Sequence, residues 1–226
     1  MTVLNGSKAP NLPVAPTQYE QRYVEQLTNV QRLYFNTLDN ITQNLLGPLG
    51  GQYVNIPHIA ASDSTDQYAG GNNTATIVKW NTLDQGAGFT LNVDNTATSL
   101  VNAIYKIDYS LQFANTANAA HDVVVWLQIT RNGVTTQVAN SASKITLPQR
   151  KSAGVPSYIL MYSTVVFEME VGDKVGLWWA TDQAYNTTGP VDGVYMEFAP
   201  AQTSPYAHPA IPSAIGAITF VSSPTT

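Results

Sequence analysis

The sequence predicts a mostly β protein: an antiparallel sandwich preceded by an extended N-terminal arm and one long α-helix. Three observations carry this. The chain changes character at Gly47-Pro48. Between Thr17 and that point, apolar residues recur at helical spacing. Beyond it the period drops to two, and turn residues separate short runs with no good helix among them. The expected organisation is an arm over 1–16, a helix over 17–47 and a β domain over 48–226. That layout suits a protein that is attached to something and displays something, rather than an enzyme.

The arm holds Pro10, Pro13 and Pro16 beside Asn5-Gly6. Proline fixes φ and removes a donor, so the segment is expected to be extended and polyproline-like. An ordered docking arm is favoured over a loose tail. Thr17 and Glu20 have capping-box spacing, while Gly47 and Pro48 are the expected cap and stop. Between them Tyr19, Tyr23, Leu27, Val30, Tyr34, Leu38, Ile41 and Leu45 follow in steps of four and three, giving one continuous apolar face. Such a helix would be about 45 Å long, more than one face of a small sandwich needs. Val24, Leu33, Phe35 and Leu46 widen the apolar surface. Leu27, Val30, Tyr34, Leu38 and Ile41 are therefore expected to be buried against sister helices or a partner surface, not only against the chain's own β domain.

The β domain reads as nine or ten strands: 52–59, 74–80, 100–113, 122–130, 134–139, 158–170, 174–181, 192–198 and 214–221, with a polar loop over 62–73. Arg131-Asn132-Gly133-Val134 is the strongest hairpin signal. Val171-Gly172-Asp173 reads as a turn joining two paired strands, with Asp173 bonded to backbone amides. Trp178 and Trp179 must point to opposite faces of their strand. One can fill the sandwich, and Trp179 is assigned to a neighbouring chain.

Composition narrows the function. Charged residues make up only 11% of the 226, about half the usual share. Neutral polar side chains suit surfaces that pack against other subunits, because buried charge is costly. Ten basic residues against fifteen acidic, with no basic cluster, argue against nucleic acid. There is no cysteine, hence no disulfide, thiolate site or Cys nucleophile. The N-terminus lacks the basic and apolar regions of a signal peptide, and no apolar run has the length of a membrane span. A soluble protein made in a cytoplasm, without membrane insertion, is expected.

No catalytic motif stands out. His58, His121 and His208 are isolated, without a partner at metal spacing. Asp63, Asp66 and Asp94 could offer oxygen ligands to calcium, but carboxylates in polar loops are more often turn caps. Glu168 and Glu170 share a strand face, as the acid pair of a glycosidase would, although solvent-facing strand residues are the common case. No nucleophile elbow, phosphate loop or dinucleotide fingerprint occurs. No enzyme activity, cofactor or metal is expected.

Several stretches taken together resemble a bacteriophage virion domain. They are Tyr105-Lys-Ile-Asp-Tyr-Ser-Leu-Gln-Phe113, Val123-Val-Val-Trp-Leu-Gln-Ile-Thr-Arg-Asn-Gly133, Glu170-Val-Gly-Asp-Lys-Val-Gly-Leu-Trp-Trp179 and the closing run from Pro209 to Val221. The domain is similar to the jelly roll shared by the complement-type globular head and tumour necrosis factor. The Pro-rich arm and Leu33-Tyr-Phe-Asn-Thr-Leu-Asp39 look like the attachment leader of phage virion proteins. The resemblance implies a ten-stranded antiparallel jelly roll that forms a homotrimer with its last strand near the axis. Ala210, Ala214, Gly216 and Ala217 would there be small enough for three chains to approach. It also implies a virion structural role. The chain would be a capsid decoration, cement or head-knob protein docked on the major capsid protein or another virion protein. The alternative is a tail-associated fibre, adaptor or adhesin that binds a host-surface receptor, with Tyr185, Tyr195 and Tyr206 as candidates for sugar stacking.

Overall fold

The computed structural model describes residues 10–14, 16–46, 56–188 and 192–224. The chain divides into two units, Met1–Asn55 and Ile56–Thr226. Most of the expected arm, together with Gly47, Pro48 and residues 52–55 of the expected first strand, lies outside the described residues.

Helix α1 spans Gln21–Leu46, about 39 Å at 1.5 Å per residue. It starts four residues later than the Thr17 cap expected from the sequence. The Glu20 carbonyl opens the ladder, accepting from the amides of Tyr23 at 3.1 Å and Val24 at 3.4 Å. Glu20 thus sits at the cap itself, where the positive end of the helix dipole favours a carboxylate. Tyr23, Leu27, Val30, Tyr34, Leu38 and Ile41 form its half-buried row, and its other described side chains are exposed.

The described residues of the second unit form fourteen strands. They are β1 (His58–Asp63), β2 (Gln67–Tyr68), β3 (Thr76–Ile77), β4 (Thr82–Ala87), β5 (Phe89–Leu91), β6 (Ala97–Ser99) and β7 (Ala103–Asn115). β8 (His121–Arg131), β9 (Val134–Gln137), β10 (Ser143–Leu147), β11 (Ser157–Met169), β12 (Lys174–Thr181), β13 (Val194–Met196) and β14 (Ala214–Ser222) follow. They make two antiparallel sheets. In the first, β4, β1, β14, β7 and β11 lie side by side, and β13 and β2 extend it beyond the end of β14. In the second the order is β10-β8-β12-β6-β5, with β9 on β8 and β3 on β12. The principal strands β1, β6, β7, β8, β10, β11, β12 and β14 cross between the sheets in jelly-roll order.

Alternation explains why the sheets face each other. Tyr105, Ile107, Tyr109, Leu111 and Phe113 of β7 point inward against Val123, Val125 and Leu127 of β8 and Leu177 and Trp179 of β12. Trp179 packs on Phe113 with ring centroids 5.4 Å apart. Such burial contributes roughly 1.5–3 kcal/mol per large apolar side chain.

Two turns settle as the backbone requires. Arg131 pairs with Val134, leaving Asn132 (φ 52°) and Gly133 (φ 78°) as a two-residue turn with both φ positive. At the other, Gly172 has φ 89°, and Asp173 accepts the Glu170 amide at 2.8 Å. This turn does not join paired strands as expected: β11 pairs with β7 and β12 with β8, so it carries the chain from one sheet to the other. Asp173, 3% exposed, also takes a bidentate bond from Arg131, which anchors the crossing.

Candidate functional site

Three of the expected interface residues lie inside the domain. Trp179 is fully buried. Its cross-strand neighbour on β8 is Val125, an inward residue, whereas Trp178 stands opposite Trp126 on the outer face. Of the pair it is Trp178, half-buried, that lies on the outer face. Ala214 and Gly216 also face inward. A Cβ at Gly216 would stand 2.7 Å from the Trp80 ring, so the packing of Trp80 explains the glycine without any second chain. Ala217 alternates to the outer face with Ile215 and Thr219.

That outer face can be laid out from the strand register. Ser62, Ile215, Ser110 and Tyr162 form one row across β1, β14, β7 and β11. Ala60, Ala217, Asp108 and Thr164 form the next, and His58, Thr219, Lys106 and Val166 the third. Leu160 lies above the first row, opposite Gln112. The large apolar members are strongly exposed: Leu160 63%, Tyr162 66%, Val166 57% and Ile215 48%. These exposed apolar side chains, interleaved with Ser110, Thr164 and the Lys106–Asp108 pair, make this face a candidate interaction surface.

The charges in the middle of the face are matched. Asp108 takes an ion pair from Lys106 at 2.8 Å and hydrogen bonds from the Tyr162 and Thr164 hydroxyls. Burial raises the Asp108 carboxyl, but the donors from Lys106 and Thr164 outweigh it and hold it below the ordinary carboxylate range. A patch whose polar groups are already partnered can be covered at lower desolvation cost than one with free charges.

At the upper end of the same face is a tyrosine cluster. Three rings form a triangle: Tyr68 stacks on both Tyr185 and Tyr195 at 5.6 Å, and Tyr185 is tilted against Tyr195 at 5.2 Å. Burial, then the hydrogen bond to Glu197, pushes the Tyr195 hydroxyl well above its ordinary value. Tyr158 shares the Glu197 carboxylate. Beside it a cleft of about 440 Å³ is lined by Tyr158, Leu160, Glu197, Gln202, Tyr206 and His208, among others. The expected stacking residues are thus split, Tyr185 and Tyr195 in the cluster and Tyr206 across the cleft. Sequence reading missed Tyr68 and Tyr158, which the register places on the same end of the sheet.

Of the candidate ligand carboxylates, Asp63 and Asp94 act as turn caps and Asp66 ties down a distant segment. Asp63 accepts the Thr65 amide and hydroxyl, Asp94 those of Thr96, and Asp66 the Phe198 amide. Among the described residues no three His, Asp or Glu side chains gather at metal-binding distance. His58 and His208 bond the carbonyls of Ile56 and Pro209. Glu170 pairs with Arg131 at 3.0 Å, while Glu168 faces outward on β11. No helix among the described residues is long and apolar enough to cross a membrane. No protein-family model and no curated protein matches the chain.

Proposed function

We propose that this chain is a non-enzymatic structural protein of a phage particle, a homotrimer that decorates or cements the capsid or forms a head knob. The arm and α1 would hold it to the major capsid protein or another virion protein. The observation that carries the reading is the outer face of β14, β7 and β11, with its exposed Leu160, Tyr162, Val166 and Ile215 around an internally neutralised Asp108. A lone soluble domain gains nothing from such a face, whereas a repeated subunit uses it to meet its copies. The low charge of the whole chain and the apolar row of α1 support the same reading. Sedimentation of the purified protein is expected to give about three times the 24.4 kDa chain mass, and antibody label on virions is expected over the shell. A monomer at micromolar concentration would remove the trimer, and label confined to the tail would remove the capsid role.

The second reading, a tail-associated fibre, adaptor or adhesin, is favoured by the tyrosine cluster and the cleft that joins Tyr158, Tyr206 and Glu197. Aromatic faces beside carboxylate acceptors suit a host-surface glycan. Tail label together with glycan-dependent binding would select it.

A further inference from the structure

The apolar row of α1 repeats at an interval of eleven. Tyr23, Tyr34 and Leu45 form one series, Leu27 and Leu38 a second, Val30 and Ile41 a third, and Tyr19 continues the third series back beyond the start of the helix. The steps run four, three, four without interruption across the helix. A heptad seam would continue from Val30 to Thr37, but the apolar residue stands one place later, at Leu38. Eleven residues in three turns is about 3.67 per turn, slightly more than a relaxed helix holds, so keeping such a seam on a partner winds the bundle right-handed.

We infer that α1 is one member of a parallel, in-register, right-handed bundle of α1 helices from copies of this chain. The inference deepens the homotrimer reading and rests on it. Three features select identical copies as the occupant. In register, every layer meets itself: Tyr23 beside Tyr23, Leu27 beside Leu27, Val30 beside Val30, so the side-chain volumes at each height match by construction. Within the helix the rows bordering the seam are neutral, Gln26 and Thr37 on one side, Gln31 and Thr42 on the other; Glu20, which continues the second row, stands at the cap before the first turn, and Arg22, Glu25, Arg32 and Asp39 lie further round. Identical helices can therefore approach without like charges facing each other, and nothing on these rows selects a different, oppositely charged partner. Finally, apolar side chains continue beyond both bordering rows, Leu33 on one side (64% exposed) and Val24 and Phe35 on the other (40% and 60%). A helix that touches two neighbours buries so wide a surface, whereas a two-stranded seam does not.

Single cysteines in the otherwise cysteine-free full-length chain test this. Tyr23→Cys and Ile41→Cys lie at opposite ends of the row, about 27 Å apart along the axis. In a parallel in-register bundle each cross-links to itself under a glutathione redox buffer. Asn36→Cys on the far face is the control, and sedimentation of each reduced variant reports its assembly. The expected result is disulfide-linked dimer from both end variants at about tenfold or more the Asn36→Cys level, with Leu38→Cys cross-linking faster than Thr37→Cys. Cross-linking only when Tyr23→Cys and Ile41→Cys are mixed would mean antiparallel helices and overturn the inference. A preference for Thr37→Cys would restore a heptad and overturn the handedness. Control-level cross-linking in a protein that still sediments as three chains would overturn the helix bundle and leave the homotrimer standing. Monomers throughout would overturn both.

Discussion

Gly133 and Gly216 show two different reasons for a glycine. At Gly133 a Cβ would meet nothing within 4 Å, so the constraint is the positive φ alone. Gly133→Val is expected to lower stability by about 1–3 kcal/mol through backbone strain, read as a fall in melting temperature; an unchanged melt would mean the turn tolerates a side chain. At Gly216 the constraint is space beneath the Trp80 ring. Gly216→Ala should cost about 1–3 kcal/mol by overpacking while the sedimenting mass stays that of the wild type. A variant with normal stability and lost association would instead place Gly216 at a subunit contact. The tryptophan pair makes a related point. Alternation alone requires Trp178 and Trp179 to oppose each other, but only the register with Val125 and Trp126 decides which one enters the core.

At the scale of elements, long strands with one buried face were legible; of the short ones, β3, β9 and β13 fall within expected runs, while β2, β4, β5, β6 and β10 do not. β7, β8, β11 and β12 repeat apolar residues at period two over eight or more residues. β4 buries neither face and carries no such pattern, and β6 turns only Ala97 and Ser99 inward. β10 alternates, but over five residues with a half-buried first position. The turn at Gly172 was legible as a turn, yet its strands enter different sheets, a choice made by pairing with β7 and β8 far along the chain. In the candidate site, Ala217 was within reach of sequence reading. The Asp108 network and the tyrosine cluster were not, because they arise from cross-strand neighbours that no local window contains. For α1 the row Leu27 to Ile41 gives a direct expectation. Leu27→Asp combined with Leu38→Asp should leave the β domain folded, with its near-ultraviolet circular dichroism intact. Association should weaken, since each buried Leu contributes roughly 1.5–3 kcal/mol. Unfolding of the β domain by this pair would mean that the helix serves its own chain instead.

For the whole molecule, acid should report on the sheet face. Asp108 has its carboxyl held below the ordinary value, so the folded form gains from its ionised state above about pH 4. That contribution is lost as pH falls through the depressed value, because protonation leaves Lys106 without its partner at 2.8 Å. The melting temperature is expected to hold from pH 7 to about pH 4 and to fall below it. Asp108→Asn should melt lower at neutral pH and lose less stability over the acid range. Equal acid responses in the two proteins would show that Asp108 does not carry the acid sensitivity.

Strand β11 has a consequence for how the protein is made. It pairs with β7 along its full thirteen residues and, among the described residues, with no other strand. Its other side is therefore about 43 Å of main chain that no described strand pairs with, beside exposed apolar side chains. In the trimer proposed above, a subunit that folds before its neighbours arrive would carry a template for strand addition, and two such edges can join in a geometry that never closes. Synthesis rate, temperature and subunit concentration would then decide between the proposed closed trimer and fibrous precipitate. Slow, cool expression should favour the first, while a burst of product in a warm cell should yield inclusion bodies rich in intermolecular β-sheet.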